Sequence, residues 1–371
     1  MGRRVLVVGG TGAFGSRLVR GLITTSRFEV TVAARDMARA RGLLSELQAG
    51  SRATAIVFDR AKVTPEELRA SGAFAVVDAA GPFQGSDYRL LKAAIAARLH
   101  YVDLADARDF VAGFVRFDAT AKEAGVTALT GVSSTPALSN AVLDRLTIGW
   151  RAVDTVEIAI SPGNRAPRGL SVIRAILSYA GKPLRVFEDG SWVLRPAWGR
   201  PTRREIRGLG ARWLSLCETP DLDVVVQRLA VRRTVTFRAG LELPLLHFGL
   251  VVASLAVRLR LVGCLEPFAP AFRAAARLFK DFGTDRGGMI VDVAGVNGEG
   301  VPTKARWTLV AEGGDGPLIP TLPALAALRA LAGGRLNRPG AMACAGIIDL
   351  DMIEREFRPY RIRTCSEIGQ G

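Results

Sequence analysis

Gly10-Thr11-Gly12-Ala13-Phe14-Gly15 lies between a short apolar run, Arg3 to Gly10 (RRVLVVGG), and a helical stretch from Ser16 to Ile23. Glycines at this spacing, on a strand-to-helix turn, suit a dinucleotide. Gly10 permits a backbone conformation that a side chain would forbid. Gly12 removes the Cβ that would block a pyrophosphate, and Gly15 lets the helix pack closely on the sheet. The helix N-terminus adds free N–H groups and the positive end of its dipole. A second β-type run, Phe28 to Ala34, ends on Arg35, where an NAD site usually carries Asp or Glu. A guanidinium there suits a 2′-phosphate, as a planar fork and a counter-charge. NADP is therefore favoured over NAD. Asp36 reads as the N-cap of the next helix, Met37 to Leu47. The competing reading is a structural turn beside a solvated arginine.

A second group of residues could move protons. His100, Tyr101, Asp103 and Asp106 fall within one short stretch. Hydride transfer needs a donor or a charge-stabilising group beside the acceptor. Strand alternation puts Tyr101 and Asp103 on one face and His100 on the other. His100 also precedes the carboxyl end of its strand. Asp103, Tyr101 and His100 are the catalytic candidates. Ser133 and Ser134 could hydrogen-bond a substrate or cap a helix. No metal site is expected: there are two histidines, and four scattered cysteines form no CxxC pair. No GxSxG elbow is present, which argues against a serine hydrolase.

The elements that must hold these groups alternate regularly. Strands read at Arg4–Val8, Glu29–Ala34, Thr54–Phe58, Ala75–Ala79, Tyr101–Leu104 and Thr127–Thr130. Helices read at Ala13–Thr24, Asp36–Gln48, Pro65–Ser71, Asp87–Arg98 and Asp109–Ala124. Such alternation predicts an α/β domain, a doubly wound parallel sheet covered on both faces. Ligands of these sheets bind beyond the carboxyl ends of the strands. Asp59 after the third strand is a candidate acceptor for the adenine amino group. Small residues after the fourth, Ala79 to Pro82, let the backbone approach a cofactor, and Phe83 could wall the nicotinamide pocket.

Beyond Val153 the pattern changes to a second, α+β domain. Strands at Thr155–Ile160, Arg232–Ala239, Met289–Gly295 and Lys304–Ala311 predict a mostly antiparallel sheet, with a helix at Leu170–Tyr179 and an Arg/Trp/Pro-rich loop after it. The expected division is 1–150, 151–320 and 321–371, the last segment packing back on the first domain through helices at Leu322–Leu331 and Asp351–Phe357.

With 371 residues, 49% of them hydrophobic, the chain has room for two domains and a large core. Met1 leads straight into a strand, and the cysteines read as reduced thiols, so a cytoplasmic protein is expected. The net charge is +15, and six arginines fall between Arg195 and Arg212. No nucleic-acid-binding signature accompanies them, so nucleic acid is not an expected partner. A solvated basic surface is the plain reading, and attraction of an anionic small-molecule substrate or lipid the functional one. Leu241 to Val262 is the most apolar segment. Glu242, Pro244, Arg258 and Arg260 leave it shorter than the ~20 clean residues of a span. It reads as a buried or homodimer-interface helix, or as a peripheral membrane contact whose arginines suit anionic headgroups.

Three stretches carry a resemblance: GGTGAFG (Gly9–Gly15), VVDAAGPFQGSDYRLLKAAIAARLHYVDLAD (Val76–Asp106) and TGVSSTPALSNAVLD (Thr130–Asp144). In these the chain resembles the saccharopine dehydrogenase-like oxidoreductases, the group with a saccharopine dehydrogenase NADP-binding domain. The resemblance implies a nicotinamide-dependent oxidoreductase. Relatives make or break a secondary amine through an imine, or reduce an activated double bond in lipids. It further implies that Gly10, Thr11, Gly12, Ala13, Phe14 and Gly15 hold the pyrophosphate, with Gly9 in the same turn. Arg35 would meet the 2′-phosphate and Asp59 the adenine side. Ala80, Gly81, Pro82 and Phe83 would line the nicotinamide ribose, and Tyr101 and Asp103 would sit near the hydride-transfer face. A nucleotide-binding scaffold without turnover, using Leu241–Val262 and the arginines, is the alternative.

Overall fold

The computed structural model describes residues 3–25, 28–167 and 169–370. The chain first runs β1 (Arg4–Val8), α1 (Gly15–Thr24), β2 (Glu29–Ala34), α2 (Met37–Glu46), β3 (Ala53–Val57), α3 (Pro65–Ala70), β4 (Ala75–Asp78), α4 (Arg89–Ala96), β5 (His100–Asp103), α5 (Arg108–Ala112), α6 (Asp118–Glu123) and β6 (Thr127–Thr130). It continues through α7 (Ser139–Leu146), β7 (Ala152–Ser161), α8 (Leu170–Tyr179), β8 (Pro183–Glu188), β9 (Ser191–Pro196), β10 (Thr202–Ile206), β11 (Gly210–Leu216), α9 (Asp221–Leu229) and β12 (Thr234–Ala239). Then come α10 (Pro244–Arg258), α11 (Ala269–Leu278), β13 (Gly287–Val296), β14 (Pro302–Ala311), α12 (Leu322–Ala332), β15 (Gly340–Ala343), α13 (Leu350–Phe357) and β16 (Ile362–Gln370).

Two compact units result, and both are discontinuous. The first holds the chain up to Leu138 and again Leu318–Glu356; the second holds Ser139–Pro317 and the chain from Phe357 onward. The first unit is a seven-stranded sheet in the order β15-β6-β5-β4-β1-β2-β3. Every pairing in it is parallel. Its central strands are apolar on both faces, as helices on both sides require. Val5, Leu6 and Val7 are sealed from solvent, and so are Ala75, Val76 and Val77. Local chemistry sets the helix starts. Asp36 accepts from the Arg39 N–H, the cap expected of it. Thr64 and Glu67 form a reciprocal capping box around Pro65.

Three features of this unit differ from the sequence reading. β15 is a seventh strand, Gly-Ala-Met-Ala, whose small residues lack the β-branched signature. The long helix expected over Asp109–Ala124 is broken into α5, a 3₁₀ turn and α6. Gly113 sits at the break, where a Cβ would collide with the Tyr88 hydroxyl. Past β6, a wide helical turn over Ser134–Leu138 replaces a simple capped start; Thr135 within it is extended.

The second unit is a nine-stranded sheet. Its main path is β10-β11-β12-β7-β13-β14-β16, with the β8–β9 hairpin attached through β12. Only β12 with β7 is parallel among its described pairings. The stretch expected to be an Arg/Trp/Pro-rich loop is in fact two hairpins, β8–β9 and β10–β11. Arg195, Arg203, Arg204 and Arg212 stand on strands, Arg200 and Arg207 in the turns beside them, and most are paired. Arg195 and Arg200 share Glu188, Arg204 takes Glu157, and Arg207 takes Glu367. Much of the basic cluster is thus a surface ion-pair network. No described helix is long and apolar enough to cross a membrane.

Candidate cofactor and active site

The order 3-2-1-4-5-6 within the first sheet reverses direction between β1 and β4. Ligands of open α/β sheets bind at such a switch point, outside the carboxyl ends of the strands. The loops after β1 and β4 meet there. Gly9 has φ +75, and a Cβ on it would come within 2.8 Å of Ala80 Cα and 2.9 Å of Ala79 C. The residue that needs the left-handed backbone is therefore Gly9; Gly10, to which the sequence reading gave that role, does not have a positive φ. Gly10 is needed for packing, between Val32, Val7 and Val19.

Gly12 and Gly15 serve different ends. A Cβ on Gly15 would strike the Gly9 carbonyl and approach Gly10 Cα to 2.9 Å, so α1 can start this close to the turn only with glycine. A Cβ on Gly12 would meet nothing but the Gly9 oxygen within 4 Å. That contact is at 3.1 Å, and beyond it no atom stands within 4 Å, so a side chain there would fill a cradle for phosphate. The Gly12 N–H bonds the Gly9 carbonyl at 2.8 Å and fixes the turn. The start of α1 has no side-chain cap and no acid in its first turn. Arg17 lies there instead, with its guanidinium on the Ala13 carbonyl. A cation at a helix N-terminus is unfavourable alone and favourable beside an anion. Arg17 was missed in the sequence because no motif marks it.

Arg35 projects from the end of β2 into solvent and makes no ion pair with a described residue. Asp59, beyond β3, is exposed and accepts from the Ala61 N–H at 3.0 Å. Gly81 and Pro82 are exposed at the crevice rim. Phe83 is buried, packed on Phe110 with ring centroids 5.2 Å apart. Thr11, Ala13 and Phe14 are partly exposed along the turn.

The turn after β4 is held by Arg60, a second residue that sequence reading missed. Its guanidinium pairs with Asp78 at 2.9 Å, donates to the Ala80 carbonyl at 3.0 Å and to Ser86 at 2.8 Å. It also covers the Phe83 ring at 5.4 Å. Asp78 is fully buried. Burial raises its pKa, and the Arg60 charge offsets only part of that effect.

The proton-transfer candidates do not converge on the crevice. His100 starts β5, at the amino edge of the sheet, and its Nδ1 accepts from the Thr127 N–H at 3.0 Å. It lies a whole strand away from the glycine turn. Tyr101 and Asp103 are buried, at 1% and 0% exposure, so neither presents its polar atoms to the surface. The Tyr101 hydroxyl donates to Asp78 at 3.4 Å. Asp103 Oδ1 accepts from Thr130 Oγ1 at 2.9 Å, the Gly131 N–H at 2.8 Å and the Ala105 N–H at 3.0 Å. Asp103 thereby ties the ends of β5 and β6 together. The fourth candidate, Asp106, is exposed beyond β5 and accepts from Gln84 at 3.3 Å. Among the described residues no group of His, Cys, Asp and Glu could hold a metal.

Burial, outweighing three hydrogen bonds, pushes the Asp103 carboxyl up to about 7. An unfolded aspartate titrates near 3.9. The native state therefore keeps a proton that the unfolded chain has lost. Stability should fall as pH rises from about 4 through 7, by up to about 4 kcal/mol from this group. Asp221, buried in the second unit, is likewise pushed up to about 7 and adds to the same trend. Asp103→Asn keeps an acceptor for the Gly131 and Ala105 N–H groups and cannot ionise. Denaturant unfolding at pH 5 and pH 8 should show a smaller difference in the variant than in wild type. The same difference in both would mean that Asp103 is ionised in the fold.

Fold and crevice together define a dinucleotide-binding α/β protein and support placing the chain among the NAD(P)-dependent oxidoreductases. Residues 5–129 match the family model of the saccharopine dehydrogenase NADP binding domain. Among solved structures the chain is similar to apo saccharopine dehydrogenase (L-Glu forming) from Saccharomyces cerevisiae. The TM-score is 0.70 at 13% identity, over 99% of this chain and 100% of that one, a likeness of fold. A dehydrogenase from Chromobacterium violaceum aligns over 96% of this chain and 92% of its own at 12% identity, with a TM-score of 0.42. No curated protein gives a significant match.

Proposed function

We propose that the protein is an NADP-dependent oxidoreductase that moves a hydride to or from an imine, a secondary amine or a polarised double bond. The observation that carries this reading is the glycine turn closed on Ala80 at the switch point, with an unpaired Arg35 at the end of the next strand. In this reading, backbone N–H groups of the turn other than that of Gly12, with those at the start of α1, bind the pyrophosphate, and Arg17 adds positive charge. Arg35 takes the 2′-phosphate, and Asp59 the adenine edge. Ala80, Gly81 and Pro82 approach the nicotinamide ribose through their backbone, held there by Arg60. The cofactor supplies the hydride. Tyr101 and Asp103 are positioning residues beneath the crevice, and Asp106 is the accessible acid beside it.

Fluorescence titration with NADPH and NADH tests the cofactor. Wild type should bind NADPH more tightly. Arg35→Ala should weaken NADPH by about 10- to 100-fold, the loss of a charge-assisted pair worth about 1.5–3 kcal/mol, and leave NADH nearly unchanged. Equal binding of both cofactors by wild type, or none, would remove the proposal. Cofactor bound, turnover with imines, amines and enoyl compounds decides the reaction.

A further inference from the structure

Helix α10 is apolar on two opposite sides. His247, Leu250, Ser254 and Val257 are buried, and Leu250 and Val257 join Leu177, Trp198, Leu265 and Ala269 in a core cluster. Leu245, Phe248, Val252, Leu255 and Leu259 recur at three- and four-residue steps on the other side. These face solvent: Leu245 is 66% exposed, Val252 67% and Leu259 60%. Leu261, Phe268 and Leu278, on the turn after α10 and in and just before α11, are exposed as well. An exposed apolar stripe along a helix, as on α10, marks an interaction site.

The charges around it are one-sided. Between Leu243 and Lys280 the chain has Arg258, Arg260, Arg273, Arg277 and Lys280 against Glu266 alone. None of the five cations pairs with a described carboxylate. Some exposed arginines elsewhere in this unit are paired, as Arg185 is with Asp223 and Arg232 with Asp154. Arg273 and Arg277, one turn apart, also line a groove of about 560 Å³ whose other walls are Leu170, Pro270, Ala274 and Leu278. Apolar walls with two unpaired guanidiniums fit a chain that ends in an anion.

We propose that the α10–α11 face docks the protein on an anionic lipid bilayer, with the leucine and phenylalanine side chains in the interface and the five cations on headgroups. Self-association fits less well, because two copies would bring ten cations together with two acids. A monotopic contact needs an apolar face with flanking Lys or Arg and no spanning helix. The inference uses nothing from the cofactor site.

The full-length protein should float with phosphatidylcholine vesicles containing about 30% phosphatidylglycerol at low salt, not with pure phosphatidylcholine, and be released by salt. Arg273→Gln with Arg277→Gln should weaken partitioning about 30-fold, from roughly 1 kcal/mol per cation. Val252→Asp with Leu255→Asp, on exposed positions, should abolish it. Far-UV circular dichroism and thermal unfolding of each variant report whether it is folded, and the two variant pairs act through different helices. Absence of flotation with either vesicle would overturn the proposal, as would equal flotation with both. A dimer in sedimentation velocity, dissolved by Val252→Asp and without vesicle binding, would assign the face to a second copy instead.

Discussion

Gly15→Ala should lower NADPH affinity by about 100-fold, the effect of roughly 2–3 kcal/mol of misfit at an overpacked contact. The added Cβ would strike the Gly9 carbonyl and press on Gly10 Cα. Both belong to the turn, and neither can rotate away as a side-chain tip would. Gly9 is itself held against Ala80, so the misfit passes to the loop after β4. The start of α1 must therefore move, taking with it the N–H groups proposed to bind phosphate. Gly12→Ala is the informative partner. Its Cβ would come 3.1 Å from the Gly9 oxygen and meet no other atom within 4 Å, so the apo protein should lose much less stability than with Gly15→Ala while NADPH binding falls. Fluorescence titration beside thermal unfolding separates the two cases. If both variants bind NADPH as wild type does, the turn is not the phosphate site.

Arg60→Ala should cost about 3–5 kcal/mol of stability at pH 8, because it strands a buried carboxylate. Asp78 is fully buried and would keep only the Ala80 N–H and the Tyr101 hydroxyl. Its pKa, already raised by burial, should rise further without the guanidinium. The sign of the pH dependence follows. A carboxyl whose native pKa is raised favours the folded state while protonated and disfavours it once pH passes that value. The loss should therefore shrink at pH 5. Asp78→Asn placed on Arg60→Ala should recover much of the stability at pH 8, since no charge remains to be buried. NADPH binding should also weaken, because Arg60 holds the Ala80 carbonyl and Ser86 in place. A loss below about 1 kcal/mol that does not vary with pH would show that the pair is a weak surface bridge.

The first domain was legible because its signals are local. Four apolar residues, Val5 to Val8, running into glycine can be read directly as a central parallel strand and its turn. Asp36, followed three residues later by the N–H it caps, reads equally well. The second sheet was less legible. In β8, Leu184 and Val186 alternate with exposed neighbours, but proline, tryptophan and arginine in the same stretch hide the period. β15 carries no strand signal; its place beside β6 depends on residues two hundred positions away. The same limit governs the site. Arg60 follows a strand as any surface arginine might, and only folding brings it over Asp78 and Phe83.

By itself the sequence determined the elements and their chemistry: a parallel α/β domain, a glycine turn fit for a dinucleotide, and an arginine where a 2′-phosphate would lie. Those follow from backbone freedom, strand periodicity and charge, all set within about twenty residues. The tertiary structure decided which groups meet. It gave the positive φ to Gly9 through the approach of Ala80. It buried Tyr101 and Asp103 as braces, left Asp106 in the open, and placed His100 at the opposite edge. It also left one face of α10 bare beside unpaired arginines. Burial and pairing depend on what long-range packing brings alongside, and a residue's type does not carry that information.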